Sequence, residues 1–242
     1  MIARCSVSTS SSLLLRFASF FSERSTIARM SASVIWRIPN RNNAKAPVVA
    51  GSFTEALCQT RQQANKWISV HPTKHIGVQN HNVVVENGVV HWSDSLKLDA
   101  KPMIGVIGVA PVAGSVLTVD NGTHGGNMDV QEVTNGNKLM MPVFQEGAYL
   151  HVGDVHALQG DAECNGVGAI EIRGHLRLQV SLSPAPSRLT WPRIETPTHI
   201  CTVGCARPLD DALRIAFEEM VYWLEEEYGM SGPEAYMLLG QV

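Results

Sequence analysis

From Ile76 to about Ala206 the chain is a succession of short apolar runs cut by turn residues, and that texture leaves little but antiparallel sheet open to it. Val83-Val84-Val85, Asn87-Gly88 and Val89-Val90 read as strand, two-residue turn and strand. Asn-Gly suits a type I′ turn, in which both central residues need positive φ. Met103 to Ala110 reads as a fully buried strand closed by Pro111, and Leu139–Phe144 and Ala148–Val152 as strands parted by Glu146-Gly147. Gly168–Gly174 and His175–Leu182 form another expected pair. In the second, Leu176, Leu178, Val180 and Leu182 alternate with Arg177, Gln179 and Ser181. The period then changes. Leu209, Leu213, Phe217, Met220, Leu224 and Tyr228 recur at helical spacing, with Asp210 and Asp211 in the first turn and Gly229 as the stop. Ser231 and Glu234 are spaced as a capping box opening a second helix. The expected class is α+β: a β-rich, sandwich- or barrel-like domain with C-terminal helices.

Three segments are expected. In residues 1–30, Arg4, Arg16, Arg24 and Arg29 face one acid, Glu23, beside the run Ser10-Ser11-Ser12, which is the pattern of a transit peptide; a disordered tail is the alternative. Residues 31–66 read as linker or atypical sequence, with asparagines and Pro47 from Pro39 to about Gly51 and a candidate helix from Phe53 to Trp67. Residues 67–242 hold the main domain, β-rich to about 206 and helical from 207. The expected compartment is the cytoplasm, with the mitochondrion as the alternative.

Composition removes several function classes. With 242 residues, 45% of them hydrophobic, the chain can build one sizeable core. Charged residues are 17% and the net charge is −3, which argues against a nucleic-acid partner. No apolar run is long enough to span a bilayer, since Leu13-Leu14-Leu15 meets Arg16 at once. Five scattered cysteines read as reduced thiols.

Two clusters carry candidate chemistry. In Gly153-Asp154-Val155-His156, Asp154 and His156 point to one side of an extended backbone, where a carboxylate and an imidazole can share a divalent ion. Glu163, after the loop Gln159-Gly160-Asp161-Ala162, can fold back toward the same point, as a carboxylate that moves a proton to or from water must. Upstream, Gly125 and Gly126 let the chain turn tightly, so that His124 and Asp129 converge and Asn127 presents an amide. Each cluster alone is also what an ordinary polar turn looks like. Cys201, Cys205 and His199 form a weaker metal motif, because no second cysteine pair accompanies them. No dinucleotide fingerprint and no Gly-x-Ser-x-Gly elbow occurs.

On these residues the sequence resembles the acetamidase/formamidase family. The matching stretches are Pro102–Pro111, His124–Asp129, Pro142–Ala148, Gly153–Glu163, Ile170-Glu171 and Pro233–Tyr236, in that order from about Trp67. The resemblance implies a β-rich fold with C-terminal helices, hydrolysis of a short linear amide such as formamide or acetamide, and dependence on a divalent metal, zinc first and calcium in addition. It implies a metal centre of His124, Asp129, Asp154 and His156, with Glu163 as general base and then acid and Asn127 orienting substrate or oxyanion; Glu163 and Asp154 could exchange roles. The expected partners are the amide substrate and further copies of the chain, with no nucleic acid and no membrane. Three departures stand out. Residues 1–66 lack the family's N-terminal β segment, Ala162 replaces a usual glycine, and the family's C-terminal part does not follow Gly240-Gln241. The domain is therefore expected to be truncated at both ends, and the alternative function is a catalytically inactive relative acting as a binding or structural protein.

Overall fold

The structure, a computed structural model, describes residues 2–5, 28–37, 44–50, 79–163, 169–184 and 188–242. Its strands are β1 (Ile2–Cys5), β2 (Ala28–Arg37), β3 (Ala44–Ala50), β4 (Gln79–Glu86), β5 (Val89–His91), β6 (Lys97–Asp99) and β7 (Met103–Gly108). They continue with β8 (Asn121–Gly122), β9 (Gly125–Asn127), β10 (Lys138–Val143), β11 (His151–His156), β12 (His175–Pro184), β13 (Arg193–Glu195) and β14 (Ile200–Val203). Two helices follow, α1 (Leu209–Tyr228) and α2 (Gly232–Leu238). All described pairings are antiparallel, in three sheets ordered β1-β14-β13-β10-β2-β12, β11-β7-β9-β8 and β3-β4-β5-β6.

The six-stranded sheet is the middle layer, and this explains why β10 and β14 are apolar without alternation. Leu139 and Met141 of β10 and Cys201 and Val203 of β14 pack with Ile104, Ile107 and Val109 of the β7 sheet. Met140 and Ile200 point the other way, onto Met220, Trp223 and Leu224 of α1 and Ala235 of α2. Burying side chains such as Met140 or Leu224 contributes roughly 1.5–3 kcal/mol each. The third sheet closes one end, where Val83, Val85 and Val90 meet Ala157 and Ile170.

α1 is tied to the middle sheet by polar contacts as well. Arg193 of β13 and Glu219 of α1 are fully buried, with Nε 2.6 Å from Oε1, and the Thr190 hydroxyl donates to the other Glu219 oxygen at 2.6 Å. The Thr202 hydroxyl donates to the Ala216 carbonyl at 2.7 Å. The helix ends at Gly229, whose φ of 69° is the left-handed cap expected there.

The hairpin forms as read, with Asn87 at φ 51° and Gly88 at φ 79°. Elsewhere local texture misled. The strand expected over Ala148–Val152 begins only at His151, because Gly147, Ala148 and Tyr149 take successive positive φ values that break an extended run. Of the strand expected over Gly168–Gly174, Gly168 lies outside the described residues, and among the described ones the pairing is a single bridge of Glu171 to His156. Ser231 precedes α2 but its side chain makes no capping bond; Pro233, with its fixed φ, starts the helix instead. The segment read as linker contains β3, paired with β4 from Ala44 opposite Val85 to Ala50 opposite Gln79. β1 and β2, in the segments read as leader and linker, pair with β14 and with β10 and β12. The candidate helix Phe53–Trp67 lies outside the described residues. Among the described residues no helix is long and apolar enough to cross a membrane.

Candidate active site

β7 is the hub. β11 pairs with one of its edges, His151 opposite Gly108 and His156 opposite Met103, a register that sets Asp154 across from Gly105. β9 pairs with the other edge, Asn127 opposite Val106. Just past β9 the amides of Met128 and Asp129 both reach the Gly105 carbonyl, each at 3.2 Å. Asp129 and Asp154 thus arrive from two flanking strands at one residue of β7. That residue has no side chain. A Cβ on Gly105 would stand 2.5 Å from Asp154 Oδ2, 2.7 Å from Asp129 Oδ1 and 2.8 Å from His156 Cε1.

His156 is 1% exposed. Its Nδ1 lies 2.8 Å from Gln159 Oε1, and the Gln159 amide nitrogen donates to the Asp129 main-chain carbonyl at 2.7 Å. Its Nε2 stands 3.3 Å from Asp154 Oδ1 and 3.3 Å from Glu171 Oε1, aligned for a hydrogen bond with neither. One oxygen or nitrogen from each of Asp129, Asp154 and His156 falls within 4.8 Å of the others. Asp129 Oδ1 and His156 Nε2 are buried without a hydrogen-bond partner. An unpartnered carboxylate oxygen, Asp129 Oδ1, facing a space that a Cβ would fill fits a cation. Two carboxylates and an imidazole suit a zinc-type ion better than calcium, which prefers an all-oxygen shell.

The electrostatics agree with that geometry. Burial alone would lower the His156 pKa, but Asp154 and Glu171 outweigh it and hold the imidazole up at about 10. Burial, with the charges of Asp154 and Glu171, raises the Asp129 carboxyl, against the pull of His156. His156 lowers Asp154, against its own burial. The cluster is a concentration of negative charge that calls for a positive one.

Glu163 ends a 3₁₀ turn, Asp161–Glu163, and lies near Asp129. Asn127, Asp129 and Glu163 line one cavity of about 750 Å³, which Cys205, Leu209 and Ala212 also line. Asp129, Asp154 and Glu163 all carry left-handed backbone, with φ of 49°, 56° and 42°. Such conformations at non-glycine residues cost on the order of 1–3 kcal/mol each and gather at functional sites.

Sequence reasoning named Asp129, Asp154 and His156, which the fold brings together, and Glu163 and Asn127, which line the adjoining cavity. His124 falls outside the three-residue group. It is buried in the β8–β9 turn, its Nε2 directed at Gly126, and burial and the neighbouring His151 lower its pKa against the opposing pull of Asp120. Glu171, Gln159 and Gly105 were missed as site residues. The signal for Gly105 was present: a glycine inside an apolar strand often marks a close approach. Cys205 lines the cavity with its thiol pKa raised by burial, while Cys201 is a buried core residue; neither is in a disulfide.

Residues 109–198 match the sequence profile of the Acetamidase/Formamidase family. An acetamidase of Mycolicibacterium smegmatis is 46% identical over 65 residues, 27% of this chain and 16% of that protein. A formamidase of Methylophilus methylotrophus is 42% identical over 65 residues, with the same shares of 27% and 16%. The crystal structure of an acetamidase from Yersinia enterocolitica superposes with a TM-score of 0.77 at 31% identity, covering 88% of this chain and 62% of that one. An acetamidase from Bacillus halodurans gives 0.72 at 27% identity, with 88% and 66% covered. The chain therefore spans about two thirds or less of these solved relatives, and its matched segments 16% of the two curated ones.

Proposed function

We propose, for a chain that belongs to the acetamidase/formamidase family, that it hydrolyses a small linear amide to ammonia and a carboxylate with the help of a divalent cation. The observation that carries this reading is the meeting of Asp129, Asp154 and His156 at the side-chain-free position of Gly105, beside a cavity that Glu163 and Asn127 line.

Asp129, Asp154 and His156 would hold the cation, with Glu171 adding negative charge at the His156 ring. When bound, such an ion supplies a Lewis acid for the amide carbonyl and lowers the pKa of a coordinated water. Glu163 then has a defined task. Its carboxylate takes a proton from water as the oxygen adds to the carbonyl carbon, and returns it to the amide nitrogen as the carbon–nitrogen bond breaks. Its place on the same cavity wall as Asp129 supports that assignment. Asp154 is the alternative proton carrier. Asn127 carries a side-chain amide on the cavity wall, placed to bind the substrate carbonyl or the oxyanion that follows. The likeness to relatives named acetamidase and formamidase supports formamide and acetamide as first substrates to try.

The test is ammonia release from formamide and acetamide by purified protein, before and after chelation and with zinc restored. Release that chelator abolishes and zinc restores is expected. Asp154→Ala and His156→Ala proteins that keep full cation content and full activity would overturn the assignment.

A further inference from the structure

Gln159 is the one polar side chain described that bridges the two arms of the donor group, and its hydrogen bonds can be directed without assumption. The Asp129 main-chain carbonyl can only accept, so the group 2.7 Å from it must be the Gln159 –NH2. A flipped amide would set two oxygens against each other. Gln159 Oε1 therefore faces the His156 ring at 2.8 Å, and an oxygen of this kind can only accept, so Nδ1 must carry the hydrogen. The ring's other nitrogen is left to point toward Asp154 and Glu171, with the adjoining Cε1 turned to Gly105. Gln159 is itself 6% exposed and the two residues before it are held, because Ala157 donates to the Ile170 carbonyl at 2.8 Å and Ile170 to the Leu158 carbonyl at 3.0 Å.

We infer that Gln159 is a positioning residue. It fixes the direction of the His156 ring, with hydrogen on Nδ1 and Nε2 as the nitrogen left for the cation, and it locks that ring to the Asp129 backbone so that donors from β11 and from the end of β9 keep one spacing. The ring direction follows from hydrogen bonding alone; its value to cation binding rests on the proposed function above. Outer partners of this sort, when removed, reduce metal affinity by about 10- to 100-fold.

The experiment compares wild type with Gln159→Met, close in shape but unable to hydrogen-bond, and Gln159→Glu, which keeps an acceptor for Nδ1. Nitrogen-15 correlation spectra of the histidines are recorded with and without zinc, and zinc affinity is measured by competition with a chromophoric chelator. In wild type the His156 Nδ1 proton is expected to be visible and slow to exchange in both forms, with zinc on Nε2. The Met variant is expected to lose slow exchange and to bind zinc 10- to 100-fold more weakly, and the Glu variant to recover the Nδ1 signal. Zinc on Nδ1 in wild type overturns the inference, and that reading needs no variant to fold. So does a folded Met variant that binds zinc within twofold of wild type. The slow Nδ1 proton in zinc-free protein needs no metal, so a chain that shows it but takes up no zinc supports the ring direction and defeats only the cation-assisted function.

Discussion

Gly105→Ala asks whether the hole in β7 is a site or an accident of packing. The added methyl would fall short of the 3.4 Å of ordinary contact by 0.9, 0.7 and 0.6 Å against Asp154 Oδ2, Asp129 Oδ1 and His156 Cε1. Gly105 does not have positive φ, so alanine meets no backbone penalty there. The strain falls on the three side chains, of which Asp154, about a third exposed, is the freest to turn aside. A stability loss of about 1–3 kcal/mol is expected, the ordinary cost of an extra methyl in a packed region. The effect on chemistry should be far larger. Ligand distances tolerate only about ±0.2 Å, and a misplacement near 1 Å costs on the order of 100-fold in rate. Calorimetric zinc titration and ammonia release should both fall by about that factor or more, while the melting transition persists. Gly153→Ala, on the neighbouring strand with nothing near its Cβ position, is the control and should change neither. A Gly105→Ala protein that binds zinc and releases ammonia as wild type does would refute the idea that donors converge there.

Other measurements reach different parts of the argument. Glu163→Gln should reduce ammonia release by about 100- to 10,000-fold with zinc content intact; retained activity would move the proton-carrying role to Asp154. Glu219→Ala removes the 2.6 Å partner of the buried Arg193 guanidinium, leaving it Glu226 Oε2 at 3.8 Å, and should cost about 3–5 kcal/mol in urea unfolding, whereas Arg193→Met with Glu219→Leu should cost much less. A loss under 1 kcal/mol for the single variant would contradict the burial described. The depressed His124 pKa means that the unfolded chain binds its proton more readily than the native one does. Stability from that group is complete above the ordinary value of 6.5 and declines as pH falls below it, so His124→Gln should flatten the acid side of a stability–pH curve.

What the sequence discloses depends on how local each determinant is. Asn87-Gly88 specifies its own turn, and Asp154 and His156 share a strand face because they are two residues apart. The doubly buried β10 shows as an unbroken apolar run. The convergence of Asp129 on Asp154 is not local: 25 positions separate them in the chain, and only the pairing of both flanking strands with β7 joins them. The same dependence hid Glu171, whose meeting with His156 rests on one bridge. His124 stands outside the three-residue group for the opposite reason, since its nearness to Asp129 along the chain is undone by the turn between β8 and β9. Ala148 and Tyr149 have strand-forming texture, yet the tight turn after Glu146 sets their backbone.

Three acidic residues sit where the chain would rather have glycine. Asp129→Gly, Asp154→Gly and Glu163→Gly should each relieve the polypeptide of an unfavourable torsion even as they strip away a carboxylate. Laboratory evolution for heat resistance alone would drift toward those glycines and arrive at a sturdier, silent protein, so directed improvement of this scaffold has to score turnover in every round.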